Sequence, residues 1–464
     1  MPLPRRRDPD RLLPADPRTR DIARDLYRSV SDAPIISPHG HVPVEWLRDD
    51  TPFSDPADLL VTHDHYVTRL LHAAGVDYAD LGLGGHAADP RDVWRILASH
   101  WHLFTGTASG YWLEEEFAEI LGVEGAFGPD TADHFFDVIS ERLASPEYRP
   151  RALFEKFGIE VLATTDDPLD DLSAHASLRD VLPGRVLPTF RPDKYLDPDA
   201  ELFASNIEAL LGATAQPTSF AGYLRALKER RAHFIANGAV SADHGVQQPE
   251  TADIDPLEAS RLFDAVVEGS ASVAGKAAFR AHMLLQMARM SVDDGLVMTV
   301  HAGVFRNHNS QTKRAFGSDT GHDLPVPTDF VRGLRPLLER YGLERNFHLV
   351  LFAVDETVYS REIAPLAGFY PSVFIGAPWW FLDAPDAMAR FRSAVTETAG
   401  FSRSSGFIDD TRAFLSIPAR HDTARRADAA FLARFVAEGR IQSRDAERVI
   451  ADSVSGQPRR VFKL

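Results

Sequence analysis

The stretch Ala33-Pro34-Ile35-Ile36-Ser37-Pro38-His39-Gly40-His41 is a short apolar run that stops at a pair of histidines. It is too short for a helix, and its β-branched centre bounded by proline suits a buried strand. Side chains alternate along a strand, so histidines two apart share a face, and Gly40 between them allows a tight turn. The same kind of run recurs at 159–165, 185–190, 239–241, 296–301, 347–354, 372–376 and 405–408. With 33–37 that makes eight, most separated by longer helical patterns. Continuous apolar runs alternating with helices indicate parallel strands in βα units, and eight such units indicate a closed barrel. The interval 45–155 breaks the rhythm. It holds no convincing strand and reads as helices over 57–75, 92–102, 113–121 and 131–143. In the third of these Leu113, Phe117 and Leu121 fall at helical spacing, with Glu114, Glu115 and Glu116 between. The expectation is an α/β fold, a (β/α)8 TIM-type barrel with an all-helical insertion after strand 1. Residues 1–44 would hold an N-terminal helix and the first barrel strand, 45–155 the insertion, and 156–464 the remainder of the barrel.

Composition narrows the function. The 464 residues carry 50 Lys+Arg against 67 Asp+Glu, a formal charge of −17. That balance disfavours a nucleic-acid partner, which calls for a basic stripe, but leaves room for a small anion held by local arginines. There is no cysteine, so disulfides and thiolate metal sites are excluded and any metal must sit on His, Asp or Glu. The Arg- and Pro-rich first ten residues lack the apolar run of a secretory signal. No stretch of about 18 apolar residues exists for a membrane span. A cytoplasmic protein without a membrane partner is the expectation. No internal repeat or low-complexity segment is visible.

The residues just past each run are more informative. His39 and His41 come after the first, Asp166 and Asp167 after the second, Arg191 and Asp193 after the third, Asp243 and His244 after the fourth. The fifth ends in His301, with Arg306 and Asn307 close behind. Asp355 and Glu356 succeed the sixth, Trp379 and Trp380 the seventh, and Asp409, Asp410 and Arg412 the eighth. In a barrel all these ends converge on one face, where barrel enzymes keep their active sites. Polar residues also succeed strands simply because loops are polar. That covers some of the aspartates, which cap or fix loops (Asp166, Asp167 and Asp193), better than it covers His-x-His and the Trp pair. Of three His-x-His pairs, His63/His65 and His100/His102 sit in helical patterns, where a spacing of two makes the rings diverge. Only His39/His41 comes after a strand. Two histidines are too few for a metal, so a carboxylate from another strand end is the natural third ligand, leaving a position open for substrate or water. Asp410 is the first choice, with Asp409 as its neighbouring alternative. Zn2+ suits such a site and Mn2+ also accepts N/O ligands. The alternative is that these histidines hydrogen-bond substrate hydroxyls and no metal is needed.

At these residues the chain resembles the uronate (glucuronate) isomerase family, a branch of the amidohydrolase superfamily. The resemblance rests on motifs in family order along nearly the whole sequence. They start with Pro38-His39-Gly40-His41, Asp64-His65-Tyr66 and Thr164-Thr165-Asp166-Asp167-Pro168. Next come Phe190-Arg191-Pro192-Asp193-Lys194, Asp243-His244-Gly245 and His301-Ala302-Gly303-Val304-Phe305-Arg306-Asn307. Gly317-Ser318-Asp319-Thr320-Gly321, Gly376-Ala377-Pro378-Trp379-Trp380-Phe381 and Asp409-Asp410-Thr411-Arg412 with Arg420-His421 complete the set. The resemblance implies a distorted barrel with the insertion after strand 1, and one divalent metal ion, usually zinc, held by His39, His41 and Asp410. It implies isomerisation of D-glucuronate to D-fructuronate, or D-galacturonate to D-tagaturonate, with Arg412 and Arg191 contacting substrate, and it leaves a homo-oligomer open. The wider superfamily often carries a Lys on strand 4 for a second metal; no Lys lies near 239–241, which disfavours a binuclear hydrolase.

Aldose–ketose isomerisation needs a base for a carbon-bound proton and a group that stabilises the developing enediolate oxygen. Asp410 is the expected base. The metal or nearby donors would serve the oxygen, and Tyr66 could move an oxygen-bound proton if the insertion folds over the barrel mouth. His301 is expected to line the pocket, and Trp379 or Trp380 to pack on a sugar face or in the core. Asp243 and His244 are left without a role. The competing readings are a mononuclear metal-dependent hydrolase or decarboxylase on the same barrel, and a sugar-acid binding protein without turnover.

Overall fold

The computed structural model describes residues 8–464; the start of the Arg- and Pro-rich terminus lies outside the described residues. The strands at the centre are β1 (Ile35–Ser37), β2 (Ile159–Ala163), β3 (Arg185–Leu187), β4 (Ser241–Val246), β5 (Val297–Ala302), β6 (Leu349–Ala353) and β7 (Val373–Ile375). They form a three-stranded sheet, β1-β2-β3, and a four-stranded sheet, β4-β5-β6-β7, parallel throughout. Single contacts join the sheets into a ring. Phe190 bridges to Ala242, with the Asp243 amide donating to the Phe190 carbonyl at 2.9 Å. On the far side Ile375 bridges to Ser404, and the His41 amide donates to the Thr411 carbonyl at 2.9 Å. The architecture is therefore a distorted parallel β/α barrel whose eighth position is one bridge and a few extended residues.

Strand alternation divides the core into two layers. Val297, Val350 and Phe352 face inward and pack with Trp379, Trp380 and Ile408, whereas Met298, Val300, Leu349 and Leu351 face outward against the helical layer. The short helix Gln457–Phe462 puts Val461 and Phe462 into the inner cluster. Near the start of the chain, helix Pro17–Arg28 packs Ala23 and Leu26 on Ala429, Leu432 and Ala433 of helix Ser416–Ala437.

Between β1 and β2 the described residues are helical or irregular. Their core, built on Trp94, Phe104, Phe117 and Phe135, is continuous with Ile35, Ile159 and Ile417 of the barrel. Three of the expected helices are interrupted. The 57–75 pattern divides into a π-helical turn, Asp58–Thr62, and helix His65–Ala73, because the Asp64 side chain accepts from the Tyr66 amide and caps a new start. The 92–102 pattern becomes Pro90–Ser99 followed by a 3-10 turn, Trp101–Phe104. The 113–121 pattern belongs to helix Ala108–Glu115 and a π turn, Glu116–Ile120. Strand limits move too. β4 runs through Asp243 and His244, which therefore lie in the strand rather than after it, since Thr299 and His301 of β5 meet the Asp243 carboxylate inside the barrel.

Glu116 is 2% exposed, and its Oε2 has no hydrogen-bond partner. Burial, then the charge of Asp64, push its pKa from 4.5 up to about 8. The native state thus holds a proton that the unfolded chain releases from about pH 4.5, so stability falls as pH rises through the window between these two values. Glu116→Gln, permanently neutral, flattens this dependence. Scanning calorimetry from about pH 5 to about pH 8 checks it; a wild-type slope retained in the variant places the proton uptake elsewhere.

Candidate active site

At the C-terminal ends of the strands a cavity of about 320 Å³ opens between the barrel and the insertion. Its floor is a buried polar cluster. The Nε2 atoms of His39 and His41 lie 3.3 and 3.0 Å from Asp410 Oδ1. Both histidines sit just past β1 and reach the same carboxylate, so the shared face expected from their spacing persists beyond the strand. Gly40 between them keeps a φ outside the left-handed region. Asp410 instead takes the left-handed conformation, φ 43°, which aspartate tolerates better than most residues. Asp409 is held by His421 at 3.0 Å, so Asp410, and not its neighbour, faces the histidines. Burial opposes ionisation of Asp410, but His39 and His41 overcome it and hold its pKa well below the ordinary carboxylate value.

His301 extends the cluster. Its Nδ1 lies 2.6 Å from Asp243 Oδ1 and its Nε2 3.8 Å from Asp410 Oδ2, while its ring stacks on Phe352 and His39 at 4.1 and 4.7 Å. An ionised Asp243 accepts only, so His301 carries a proton on Nδ1; its Nε2 faces Asp410, and the ring lies behind the residues that line the cavity rather than among them as expected. Asp243 also accepts from Thr299 Oγ1 at 2.6 Å and lies 3.5 Å from Arg191 Nε. Arg191 is fixed by Asp193 at 2.9 Å.

The insertion supplies the upper wall. The Asp64 cap sets the first turn of its helix so that His65 and Tyr66 face the barrel, and Tyr66 lines the cavity as expected. Burial, then Asp383, raise the Tyr66 pKa well above its ordinary value, so the phenol stays protonated. Its hydroxyl lies 3.5 Å from Asp383, which is ion-paired with Arg420. Trp379 and Trp380 line the cavity and also pack in the inner core. Arg412 pairs with Asp319 at 3.4 Å rather than with Asp409.

Sequence reasoning misses several lining residues. His65 belongs to a pair whose helical spacing predicts divergence, and it does diverge from His63, but singly it faces the cavity. Burial, then Arg412, lower its pKa to about 3, which keeps it neutral. The signal for it is the capping Asp64 directly before His65-Tyr66. Asp319 and Asp323 come from the loop after β5, where two two-residue strands, Val304–Phe305 and Leu324–Pro325, pair antiparallel. Asp166, Asp167 and Asp193 do fix loops: they accept from the amides of Thr189, Leu169 and Gly245 respectively.

Among the described residues, two sets could hold a metal ion: His39, His41 and Asp410, or His39, Asp243 and His301. The first fits better. Its atom separations of 3.0 and 3.3 Å match the edge of about 3.3 Å of a tetrahedron with ligand bonds near 2.0–2.1 Å. Asp410 Oδ1 is also buried without an aligned hydrogen bond, although both rings face it. In the second set, the His301 Nδ1 proton is already given to Asp243.

The fold and this site define a parallel β/α-barrel enzyme whose cavity floor gathers two histidines and an aspartate that could hold a metal, with several arginines at its mouth. The sequence pattern described as glucuronate isomerase matches residues 18–457. A uronate isomerase of Corynebacterium efficiens is 52% identical over 461 residues, covering 98% of each chain. The crystal structure of glucuronate isomerase from Caulobacter crescentus superposes with a TM-score of 0.97 at 46% identity, covering 99% of this chain and 97% of that one. That of uronate isomerase from Thermotoga maritima gives 0.92 at 25% identity, covering 98% of each. The chain belongs to the glucuronate isomerase family.

Asp410→Ala is expected to weaken divalent-metal affinity by more than about tenfold, since even losing a residue that only supports a ligand costs that much. Elemental analysis after dialysis measures it, and full metal content in the variant rules Asp410 out as a ligand.

Proposed function

We propose that this enzyme interconverts D-glucuronate and D-fructuronate, or D-galacturonate and D-tagaturonate, by moving a proton between C2 and C1 of the open-chain sugar acid. The reading rests above all on Asp410. It is a buried, ionised carboxylate at the convergence of His39, His41 and His301, with a protonated Tyr66 and cationic Arg191 and Arg412 around the same cavity. In the proposed step Asp410 removes the C2 proton, the C2–H electrons form the C1–C2 double bond, and the aldehyde oxygen takes a proton from Tyr66 to give an enediol. Return of the carbon-bound proton from Asp410 to C1, with the O2 proton passing to the Tyr66 phenolate, yields the ketose and restores both groups. His301, fixed through Nδ1 by Asp243, sets Nε2 beside Asp410 and supports the base from behind. Arg412 and Arg191 hold substrate oxygens; a bidentate arginine–carboxylate pair is the strongest such anchor. The tryptophans exclude water and offer a face to the sugar. The ion that suits His39, His41 and Asp410 is Zn2+, with Mn2+ compatible; when bound, it would polarise the substrate oxygens beside it.

The test is proton NMR of the metal-loaded protein in D2O with each hexuronate. A ketouronate carrying deuterium at C1 supports proton transfer. A ketouronate without deuterium replaces this step with a hydride shift or a shielded transfer. Net hydrolysis or decarboxylation favours the metal-dependent hydrolase alternative, and binding without product favours a sugar-acid binding protein. Asp410→Asn is expected to lower kcat by at least about 10²-fold, the low end for a lost general base; near-normal turnover removes Asp410 from that role. Arg412→Met is expected chiefly to raise KM, and unchanged KM and kcat would make Arg412 structural.

A further inference from the structure

Strand β4 has two faces, and the active site accounts for only one. Asp243 points into the barrel; by strand alternation its neighbour His244 points outward toward the helical layer. His244 is fully buried. Its Nδ1 lies 3.0 Å from the Thr299 carbonyl oxygen. A carbonyl only accepts, so Nδ1 carries the ring proton and Nε2 is a bare lone pair. That Nε2 is buried and has no partner. His244 lines a second cavity, of about 380 Å³, where the end of β4 meets helix Val273–Asp294. Leu196, Val246, Ala281 and Leu284 make part of its wall apolar. The charged residues lining it are Asp193, Asp197, Asp199, Glu250 and Arg280; Arg280 pairs with Asp197 and Asp199 at 2.9 and 2.6 Å, Lys276 with Asp199 at 2.7 Å and Arg191 with Asp193 at 2.9 Å, so among the described residues Glu250 is the lining carboxylate that no cation pairs.

We propose that this cavity is a second ligand site, which takes a small organic cation with N–H donors on an aliphatic body, an alkyl diamine by class, with one ammonium donating to His244 Nε2. The apolar wall receives the chain, Glu250 and the shared carboxylates Asp193 and Asp197 match the charge, and the buried acceptor supplies the directional contact. The site adjoins the catalytic cavity through one carboxylate. Asp193 lines the second cavity and at the same time holds Arg191, which lines the first. A cation drawing on Asp193 loosens Arg191, so occupation weakens substrate binding, and by linkage substrate weakens the diamine.

Isothermal titration of the full-length, metal-loaded protein with 1,4-diaminobutane at matched ionic strength tests the site. Butane-1,4-diol serves as the uncharged control. Saturable one-to-one binding is expected, with the diol weaker by at least about tenfold, the size of a lost charged hydrogen bond. His244→Phe keeps a ring and removes the acceptor, and Ala277→Trp fills the cavity from the helix side; each is expected to weaken binding by about tenfold or more. The absence of saturation below about 10 mM, or wild-type affinity in either variant, overturns the proposal. The coupling rests on the isomerase reading, whereas the binding arm does not. Saturating diamine is expected to raise the hexuronate KM about fivefold, and an unchanged KM overturns the coupling.

Discussion

The hydrogen bond from the His41 amide to the Thr411 carbonyl closes the strand ring, and the chemistry depends on that closure. It ties the segment after the first strand to the segment after the eighth position, so both ring nitrogens of the His pair meet the Asp410 carboxylate. Asp410 sits in a left-handed backbone conformation to present itself, a cost that the packed surroundings must cover. Trp380, Asn307 and Asp319 share that conformation at the same mouth. Backbone strain is thus concentrated where the loops of the barrel and the insertion converge.

Strand alternation distributes the remaining roles. Inward positions of β4 and β5 carry Asp243, Thr299 and His301, which meet at Asp243 Oδ1 and leave one imidazole nitrogen facing Asp410. Outward positions carry Ala242, Val300 and Ala302, which pack against the helices. His244 stands among them as the polar exception. A buried polar atom without a partner costs free energy that apolar side chains would avoid. Such atoms cluster at the barrel mouth on His39, His301, Asp410 and both tryptophans, as suits a surface built to meet a polar ligand. The helical insertion completes the enclosure, and its contribution of His65 and Tyr66 stems from one capping aspartate.

Local pattern made much of this legible. Short apolar runs located the seven strands and the eighth position, because buried parallel strands have few polar positions. Ligand candidates were legible because residues at strand ends share one face in any parallel barrel. What pattern misjudged was local competition: Asp64 divides one expected helix by capping a second, and β4 continues through Asp243 and His244 because partners inside the barrel make that strand tolerant of charge. The loop after β5 gave no periodic signal: Asp319 stood in a quoted motif without a role, and Asp323 came to the site unannounced.

Linear pattern alone was enough for the class of fold, the helical nature of the insertion, the absence of thiolate chemistry and the candidacy of His39, His41, Arg191 and Arg412, since these stem from periodicity, composition and motif. Three-dimensional packing was needed to establish that Asp410 rather than Asp409 faces the histidines, that Arg412 pairs with Asp319, that His65 belongs to the cavity, and that Asp243 and His244 serve opposite faces of one strand. Those outcomes depend on which groups distant in the chain compete for the same buried partner, and a linear pattern carries no record of that competition.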